Sequence, residues 1–262
     1  MLVPYASWLG NGDNAWQMTA ATLVGLMSIP ALAVLYGGLV QKKWAMNTTL
    51  MVFVTFCLVL ITWVLWGFKL GFGTPLVSTF IGDPRSVLGH AALQGQASIP
   101  LVNAAVPNWH LPGASVIYFQ FVFAAITPIL FIGSVLGRIS FKVWMIFVPL
   151  WITFAYCVNA FLVWGGGYWA GKGALDFSGG YVIHLAAGTS GFVAAAVIGP
   201  RLKRDRERAI RHSQHQVPQL TTLTPDPPHG VIPPTPPGPE GSKGTRALTG
   251  VRGVPPLPVR MS

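Results

Sequence analysis

The residues of this chain best suited to chemistry lie at positions 164–184, where a glycine-rich turn leads into an apolar segment. The turn contains one carboxylate, Asp176, and the apolar segment contains one imidazole, His184. An ionisable ring inside membrane-spanning sequence is costly, so such residues typically mark the path of an ion or a proton. His184 is therefore the first candidate for a functional group. A structural histidine bonded to a neighbouring helix is the alternative that the pattern leaves open.

Aromatic side chains provide a second candidate element. Phe119 and Phe123 are four residues apart, which places both rings on one side of a helix. Such a pair is typical of lipid-facing or packing aromatics, and it is also compatible with a π-lined constriction that binds a cation. Trp164 ends an apolar stretch, where tryptophan serves as an interface anchor. Asp176 precedes small residues and fits either an N-terminal helix cap or a charge that attracts cations.

The composition decides which elements must hold these residues. Hydrophobic residues make up 52% of the chain and charged residues 9%, which indicates an integral membrane protein. Spanning helices need roughly 20 apolar residues, and each must satisfy its own backbone hydrogen bonds. We predict an all-α fold, a polytopic membrane helix bundle with five transmembrane helices. The predicted spans, all without Asp, Glu, Lys or Arg, are 15–38, 44–68, 114–136, 143–164 and 181–199.

Basic residues predict the orientation of the chain. Lys42 and Lys43 follow the first span, Arg138 and Lys142 join the third span to the fourth, and further basic residues occupy 201–208 after the fifth. Because Lys and Arg beside a span are retained on the cytoplasmic side, the N-terminus is predicted outside and the C-terminal tail cytoplasmic. The net charge of +10 is then mostly a topology signal, and no nucleic-acid partner is expected.

The last part of the chain has a different composition. Residues 209–262 contain no Phe, Trp or Tyr but hold twelve of the 22 prolines. Such a segment cannot bury a core, and proline fixes φ while removing backbone donors. We therefore divide the chain into a membrane domain at 13–208 and a disordered, proline-rich cytoplasmic tail at 209–262.

The order of these pieces resembles the ammonium transporter family, the Amt/Mep/Rh channels. The resemblance is carried by YGGLV at 36–40, FQFVFAAITP at 119–128, GRISFKVWMIFVPLW at 137–151 and VWGGGYWAGKGALDFSGGYVIHLAAGTSG at 163–191. The last of these blocks is highly specific. The resemblance extends from about Asp13 to Arg208 and covers the membrane domain.

The resemblance implies a trimeric, channel-like transporter of the plasma membrane, built from two inverted five-helix repeats and a closing helix. Trp164 and Phe119 would then help to recruit ammonium by cation–π contact at an outer site, and Phe123 would be one ring of the gate below it. Asp176 would support recruitment, and His184 would be the first of two pore-lining histidines that relay the proton. Neither a cofactor nor a metal is expected, and no enzyme activity.

The departure from the family pattern is equally specific, because the resemblance stops after the fifth predicted helix. The second repeat, with its phenylalanine, hydroxyl and partner histidine, has no counterpart in this sequence. We therefore expect a truncated ammonium transporter whose tail arises from a reading-frame change or an unrelated exon. The alternative function is a non-conducting membrane fragment that acts as an interaction or ammonium-sensing module.

Overall fold

The computed structural model describes residues 6–103, 109–199, 207 and 210–211, and these residues are mainly helical. Four segments within the bundle form wider, π-helical turns. The α-helices are α1 Asn11–Leu26, α2 Ala33–Leu39, α3 Lys42–Thr62, α4 Phe68–Phe72, α5 His90–Gln94, α6 Pro100–Asn103, α7 Gly113–Ile132, α8 Phe141–Trp151, α9 Cys157–Val163, α10 Tyr168–Gly171 and α11 Ala186–Ile198. The π-helical turns are Met27–Leu32, Trp63–Gly67, Ile152–Tyr156 and Gly180–Leu185.

Joined through these turns, the helices give five segments long and apolar enough to cross a membrane. We refer to them as the first to fifth spans: Asn11–Leu39, Lys42–Phe72, Gly113–Ile132, Phe141–Gly171 and Gly180–Ile198. The prediction of an all-α, polytopic membrane bundle with five spanning helices is confirmed. The proline-rich tail predicted at 209–262 lies outside the described residues, apart from Ile210 and Arg211.

Proline interrupts the first span. Ile29, directly before Pro30, has φ −134° and ψ 114°, which is an extended rather than a helical conformation. Proline lacks an N–H group, and it disfavours the helical conformation of the residue before it. The first span therefore consists of two helices, α1 and α2, that meet at this point.

The third span is shorter than the predicted 114–136, because α7 ends at Ile132 and the chain continues in turns. Gly137 in these turns has φ +70°, a conformation that favours glycine. Arg138 then donates to the main-chain oxygen of Ser134 and, at 2.8 Å, to that of Gly199. A basic side chain thus caps the carboxyl end of the fifth span and ties it to the end of the third.

The third span forms the centre of the bundle. Buried residues make up 72% of its most apolar stretch, against 17% in the first span and 22% in the fifth. The helix contacts each of the other four spans. The first and fifth spans therefore present most of their apolar surface outward, which in a membrane is compatible with lipid or with further protein.

Tryptophan side chains join the spans by hydrogen bonds. An indole N–H that is buried without a partner is unfavourable, and four tryptophans of the spans donate theirs to a group on another span. The pairs are Trp63 with the Ile117 oxygen at 3.0 Å, Trp66 with Thr153 at 2.9 Å, Trp144 with Thr55 at 2.7 Å and Trp151 with Ser190 at 2.9 Å. These bonds connect the second span to the third and fourth, and the fourth span to the fifth.

The connection between the second and third spans contains the strands of the described chain. Strand β1, Pro75–Val77, pairs antiparallel with β2, Ile81–Gly82. The amide of Tyr168 in the later glycine-rich segment donates to the Thr79 oxygen in the turn between these strands, at 2.9 Å. The hairpin thus supports the segment that carries Trp164 and Asp176.

Candidate functional site

Phe119 and Phe123 lie on the same face of α7, as their spacing predicts. Their ring centroids are 5.0 Å apart and the planes meet at 74°, which is an edge-to-face contact. Both rings are half-buried, so one side of each packs on the bundle and the other is accessible. The accessible ring faces carry the negative part of the aromatic quadrupole and can attract a cation.

Trp164 extends this aromatic cluster from another span. It follows α9 directly, and its ring centroid lies 6.3 Å from that of Phe123. The indole Nε1–H donates to the main-chain oxygen of Asp176 at 2.7 Å. The hydrogen bond uses the polar edge of the indole and fixes the plane of the ring, while its faces remain available for contacts.

Asp176 organises the start of the fifth span. Its two carboxylate oxygens accept hydrogen bonds of 2.8 to 3.0 Å from four backbone N–H groups, those of Gly179, Gly180, Tyr181 and Val182. These donors are the groups that a helix leaves unpaired at its amino end, where the helix dipole also favours negative charge. Of the two roles considered for Asp176, the helix cap is the one that its contacts display.

A glycine makes this capping turn possible. Gly179 has φ +89°, and a Cβ atom at this position would lie 2.4 Å from the Cδ1 atom of Ile183. Both the conformation and the close contact exclude a larger residue. We call residues 164–182, which run from Trp164 to the first turn of the fifth span, the fourth–fifth junction.

His184 lies about one helical turn into the fifth span, about 6 Å along the axis from Gly180. A start near Phe177 would have placed it about two turns in. The side chain is exposed on the surface of the bundle, and none of the described residues makes a hydrogen bond with the ring. Among the described residues, His184 is therefore not hydrogen-bonded to a neighbouring helix, which was the alternative arrangement.

The fifth span has a closed side and an open face. On the closed side, Ala187 and Gly191 are buried, and a Cβ at Gly191 would lie 3.1 Å from the Cβ of Phe131. Small residues allow this close approach of the third span. The open face carries His184 together with the exposed apolar side chains of Leu185 and Phe192, whereas Val193 and Val197, which are also exposed, line the cavity beside Trp151.

Cavities lie on the flanks of the fifth span. One of about 200 Å³ lies beside Asp176 and Tyr181. Another, of about 260 Å³, lies between the fourth and fifth spans and is lined by Asn159, Tyr181 and Ser190 among others. A larger and almost entirely apolar cavity of about 450 Å³ lies between Phe131, Trp151 and the later part of the fifth span.

Sequence reasoning missed several polar residues around this site. Tyr181 Oη donates to Asn159 Oδ1 at 3.1 Å, and Trp151 Nε1 donates to Ser190 Oγ at 2.9 Å. The signal that could have found these residues is the presence of polar side chains inside predicted spans, where each needs a partner. Gln120, between the aromatic residues of α7, also has a buried side-chain oxygen without a partner among the described residues.

The fold and the site define a class of protein: a polytopic membrane protein that holds an aromatic cluster and an ionisable ring within its spans. The sequence profile of the Ammonium Transporter Family matches residues 15–222, and the chain belongs to this family. The match extends beyond Arg208, where sequence inspection ends the resemblance.

Two plant proteins illustrate the similarity. The chain is 54% identical over 201 residues to Ammonium transporter 2 of Arabidopsis thaliana, a match that covers 77% of this chain and 42% of that protein. It is 51% identical over 212 residues to Ammonium transporter 3 member 2 of Oryza sativa subsp. japonica, covering 78% and 44%. The chain thus spans less than half the length of these relatives.

A solved structure has the same fold. The crystal structure of Candida albicans Mep2 aligns with a TM-score of 0.62 and 29% sequence identity. The alignment covers 76% of this chain and 42% of that one. The similarity therefore includes the membrane spans described above and leaves more than half of the Mep2 chain without a counterpart here.

Proposed function

We propose that this chain lines one side of an ammonium or ammonia pathway across the plasma membrane. The plant relatives are ammonium transporters, which supports ammonium as the substrate. The observation that carries the proposal is the exposed imidazole of His184, which has no hydrogen-bond partner among the described residues and lies two residues beyond the fourth–fifth junction. An ionisable ring that faced lipid would be unfavourable, so its face is expected to border a polar route.

The aromatic cluster performs the first step of the proposed mechanism. Ammonium loses part of its hydration when it leaves water, and the faces of Phe119 and Trp164 compensate by cation–π attraction. Phe123, in edge contact with both rings, closes the route below them. Asp176 positions the other groups of the site. Its carboxylate fixes the start of the fifth span, and its main-chain oxygen orients Trp164.

His184 performs the second step. Moving a charged ion through an apolar passage is expensive, whereas neutral ammonia passes with a smaller cost. A neutral imidazole can accept the proton of ammonium, which leaves ammonia to continue along the route. The ring has no hydrogen-bond partner among the described residues, so its nitrogens are free for this exchange.

Orientation and assembly complete the proposal. The N-terminus lies outside and the tail after the fifth span is cytoplasmic, as the basic residues beside the spans predict. Three chains associate, in the trimer that the family resemblance implies.

Uptake of labelled methylammonium in cells without their own ammonium transporters tests the proposal. We expect uptake above that of cells with an empty vector, at matched amounts of protein in the membrane. Uptake at background level would contradict conduction by this chain.

One observation favours a second candidate function, a non-conducting module for interaction or ammonium sensing. The open face of the fifth span leaves the wall beside His184 to be completed by other protein. Background uptake by the chain alone, with ammonium still bound at the aromatic cluster, would support this second function.

A further inference from the structure

Beyond its first turn, the fifth span gains little rotational restraint from packing. Val182 and Ile183 are buried at the start of the span, but the buried residues after them, Ala187 and Gly191, have no branches to interlock with a neighbour. Small residues permit close approach, but they also permit a helix to turn about its axis. The apolar side chains on the open face, Leu185 and Phe192, are exposed and add little packing that would hold the rotation.

The restraints at the two ends of the fifth span leave its rotation open. Asp176 binds backbone amides only a few residues away in the chain, so these bonds start the helix without specifying which side faces the fourth span. Arg138 donates to the main-chain oxygen of Gly199, which lies close to the helix axis, so this bond restrains rotation less than a bond to a side chain farther from the axis. The ends therefore fix where the span starts and stops.

Two side-chain pairs along the flank do specify rotation. Tyr181, three residues before His184, donates to Asn159 Oδ1 on the fourth span at 3.1 Å. Ser190, six residues after His184, accepts from the indole of Trp151 on the fourth span at 2.9 Å. At about 100° per residue, Ser190 lies about 120° around the helix from His184. A bond at Ser190 therefore turns the imidazole away from the fourth span and toward the open face.

We propose that the pairs Asn159–Tyr181 and Trp151–Ser190 are positioning pairs that set the rotation of the fifth span and aim His184 into the open face. The effect of these pairs on transport rests on the proposed function, but the rotation of the fifth span can be measured without transport. Hydrogen bonds of this kind hold well inside a membrane, where little water competes for the donors and acceptors. Their measured strengths there are modest, so two pairs are needed where one would leave the helix mobile.

Conservative variants remove these bonds with little change in volume. Tyr181→Phe deletes the first bond and Ser190→Ala the second, and the two are combined in a double variant. A matched control is the double variant Thr55→Val with Thr153→Val. It also removes two indole-to-hydroxyl bonds, from Trp144 and Trp66, but neither bond touches the fifth span.

Spin labels report the rotation without any need for transport. In a Cys57→Ser background, single variants Ile183→Cys and His184→Cys of the full chain are labelled in lipid bilayers, and collision with dissolved oxygen is measured. Cys157 is fully buried and donates to the Gly67 oxygen, so it stays in place. Position 183 is buried and position 184 exposed, so in the starting chain the label at 184 must collide with oxygen much more often than the label at 183. We call the ratio of these two collision rates the spin-label contrast.

We expect the contrast to fall about threefold in each single variant and about tenfold in the double variant, and to persist in the Thr55 and Thr153 control. Ser190→Thr, which keeps a hydroxyl, should restore it. A contrast that survives the double variant overturns the proposal, as does an equal loss in the control.

Methylammonium uptake then separates the two proposals. If His184 is aimed by these pairs, the maximal uptake rate of the double variant falls about tenfold while the half-saturating concentration stays within about twofold, because the aromatic cluster is untouched. Loss of the spin-label contrast in a chain that never transports would keep the positioning role and reject the proposed function. Unchanged spin-label contrast in a chain that transports would reject the positioning role and keep the proposed function.

Discussion

The fourth–fifth junction and the open face of the fifth span are adjacent and yet built in opposite ways. In the junction, one carboxylate satisfies four amides and one indole is bonded to the main chain. On the open face, one turn further along, His184 has no hydrogen-bond partner among the described residues and its neighbours Leu185 and Phe192 are exposed. Hydrogen bonds within the chain hold the junction before His184, whereas the described residues leave the face that carries His184 uncovered.

The contrast teaches how a site can be positioned by one part of a bundle and completed by another. Hydrogen bonds in the junction determine where the fifth span starts and how the Trp164 ring is directed, and they do so within this chain. The environment of His184 depends on whatever covers the open face. This chain matches only 42% and 44% of the two plant relatives, whose remaining sequence could supply it.

Among substitutions in the junction and on the open face, the largest expected effect comes from removing the carboxylate of Asp176. Asp176→Ala leaves four N–H groups unpaired, and hydrogen bonds to a charged group are the stronger kind, so we expect the free energy of unfolding to fall by about 3 kcal/mol. Chemical unfolding in lipid or detergent, followed by tryptophan fluorescence, measures the change. The matched control is Asp83→Ala, which loses only an ion pair with the largely exposed Arg85 and should cost under about 1 kcal/mol. Equal costs would mean that the junction is not specially organised.

The closed side of the fifth span is tested with a pair of glycines. Gly191→Val places atoms against Phe131, where a Cβ would lie 3.1 Å from its neighbour, and overpacking of this kind costs about 1 to 3 kcal/mol. Gly188→Val is the control, since nothing lies within 4 Å of a Cβ there and both substitutions have the same helix propensity. A thermal unfolding series should rank Gly191→Val as the less stable. The reverse order would show that the open face, rather than the closed side, is packed.

Trp164 links the junction to the aromatic cluster. Substitutions of this residue separate the contribution of its aromatic ring from that of its hydrogen bond. Trp164→Leu should raise the half-saturating concentration for methylammonium about fivefold, as expected from a cation–π contribution of about 1 kcal/mol. Trp164→Phe retains a ring without the N–H that donates to Asp176, and it should keep most of the affinity. Kinetics of uptake at several concentrations provide the measurement. An equal loss in Trp164→Phe and Trp164→Leu, both of which lack the N–H group, would assign the role to the hydrogen bond instead.

The smallest expected effect lies on the open face itself. Phe192 is 78% exposed, so Phe192→Ala should change the stability of the chain alone by no more than about 0.5 kcal/mol. Phe161→Ala, at a fully buried position in the fourth span, should cost about 3 to 5 kcal/mol. Measuring the free energy of unfolding of both variants under the same conditions compares the exposed position with the buried one. A large cost at Phe192 would indicate that a second copy of the chain already covers this face.

Much of the fold followed from sequence because membrane spans are specified by length and polarity. The five spans, the shared face of Phe119 and Phe123 and the capping potential of Asp176 depend on local spacing, which a sequence displays directly. The interruption at Pro30 also has a local cause, whereas α7 ends earlier than its apolar run, at turns that include Gly137.

Contacts between spans could not be derived in this way. Asn159 and Tyr181 are separated by 22 residues and Thr55 and Trp144 by 89, so only the folded chain brings them together. The exposure of His184 is likewise a property of the bundle, because an apolar helix without charged residues does not reveal which side its neighbours cover. The candidate residues were visible in the sequence, but their partners were not.

The most direct test of the account is methylammonium uptake by His184→Ala, compared with the unmodified chain at equal amounts in the membrane. His90→Ala, an exposed histidine in the connection between the second and third spans, is the matched control. We predict that His184→Ala reduces uptake to the background of vector-only cells with unchanged stability, since the ring is exposed and bonds to none of the described residues, while His90→Ala transports normally. Uptake by His184→Ala equal to that of the unmodified chain would contradict the claim that this imidazole serves the ammonium pathway.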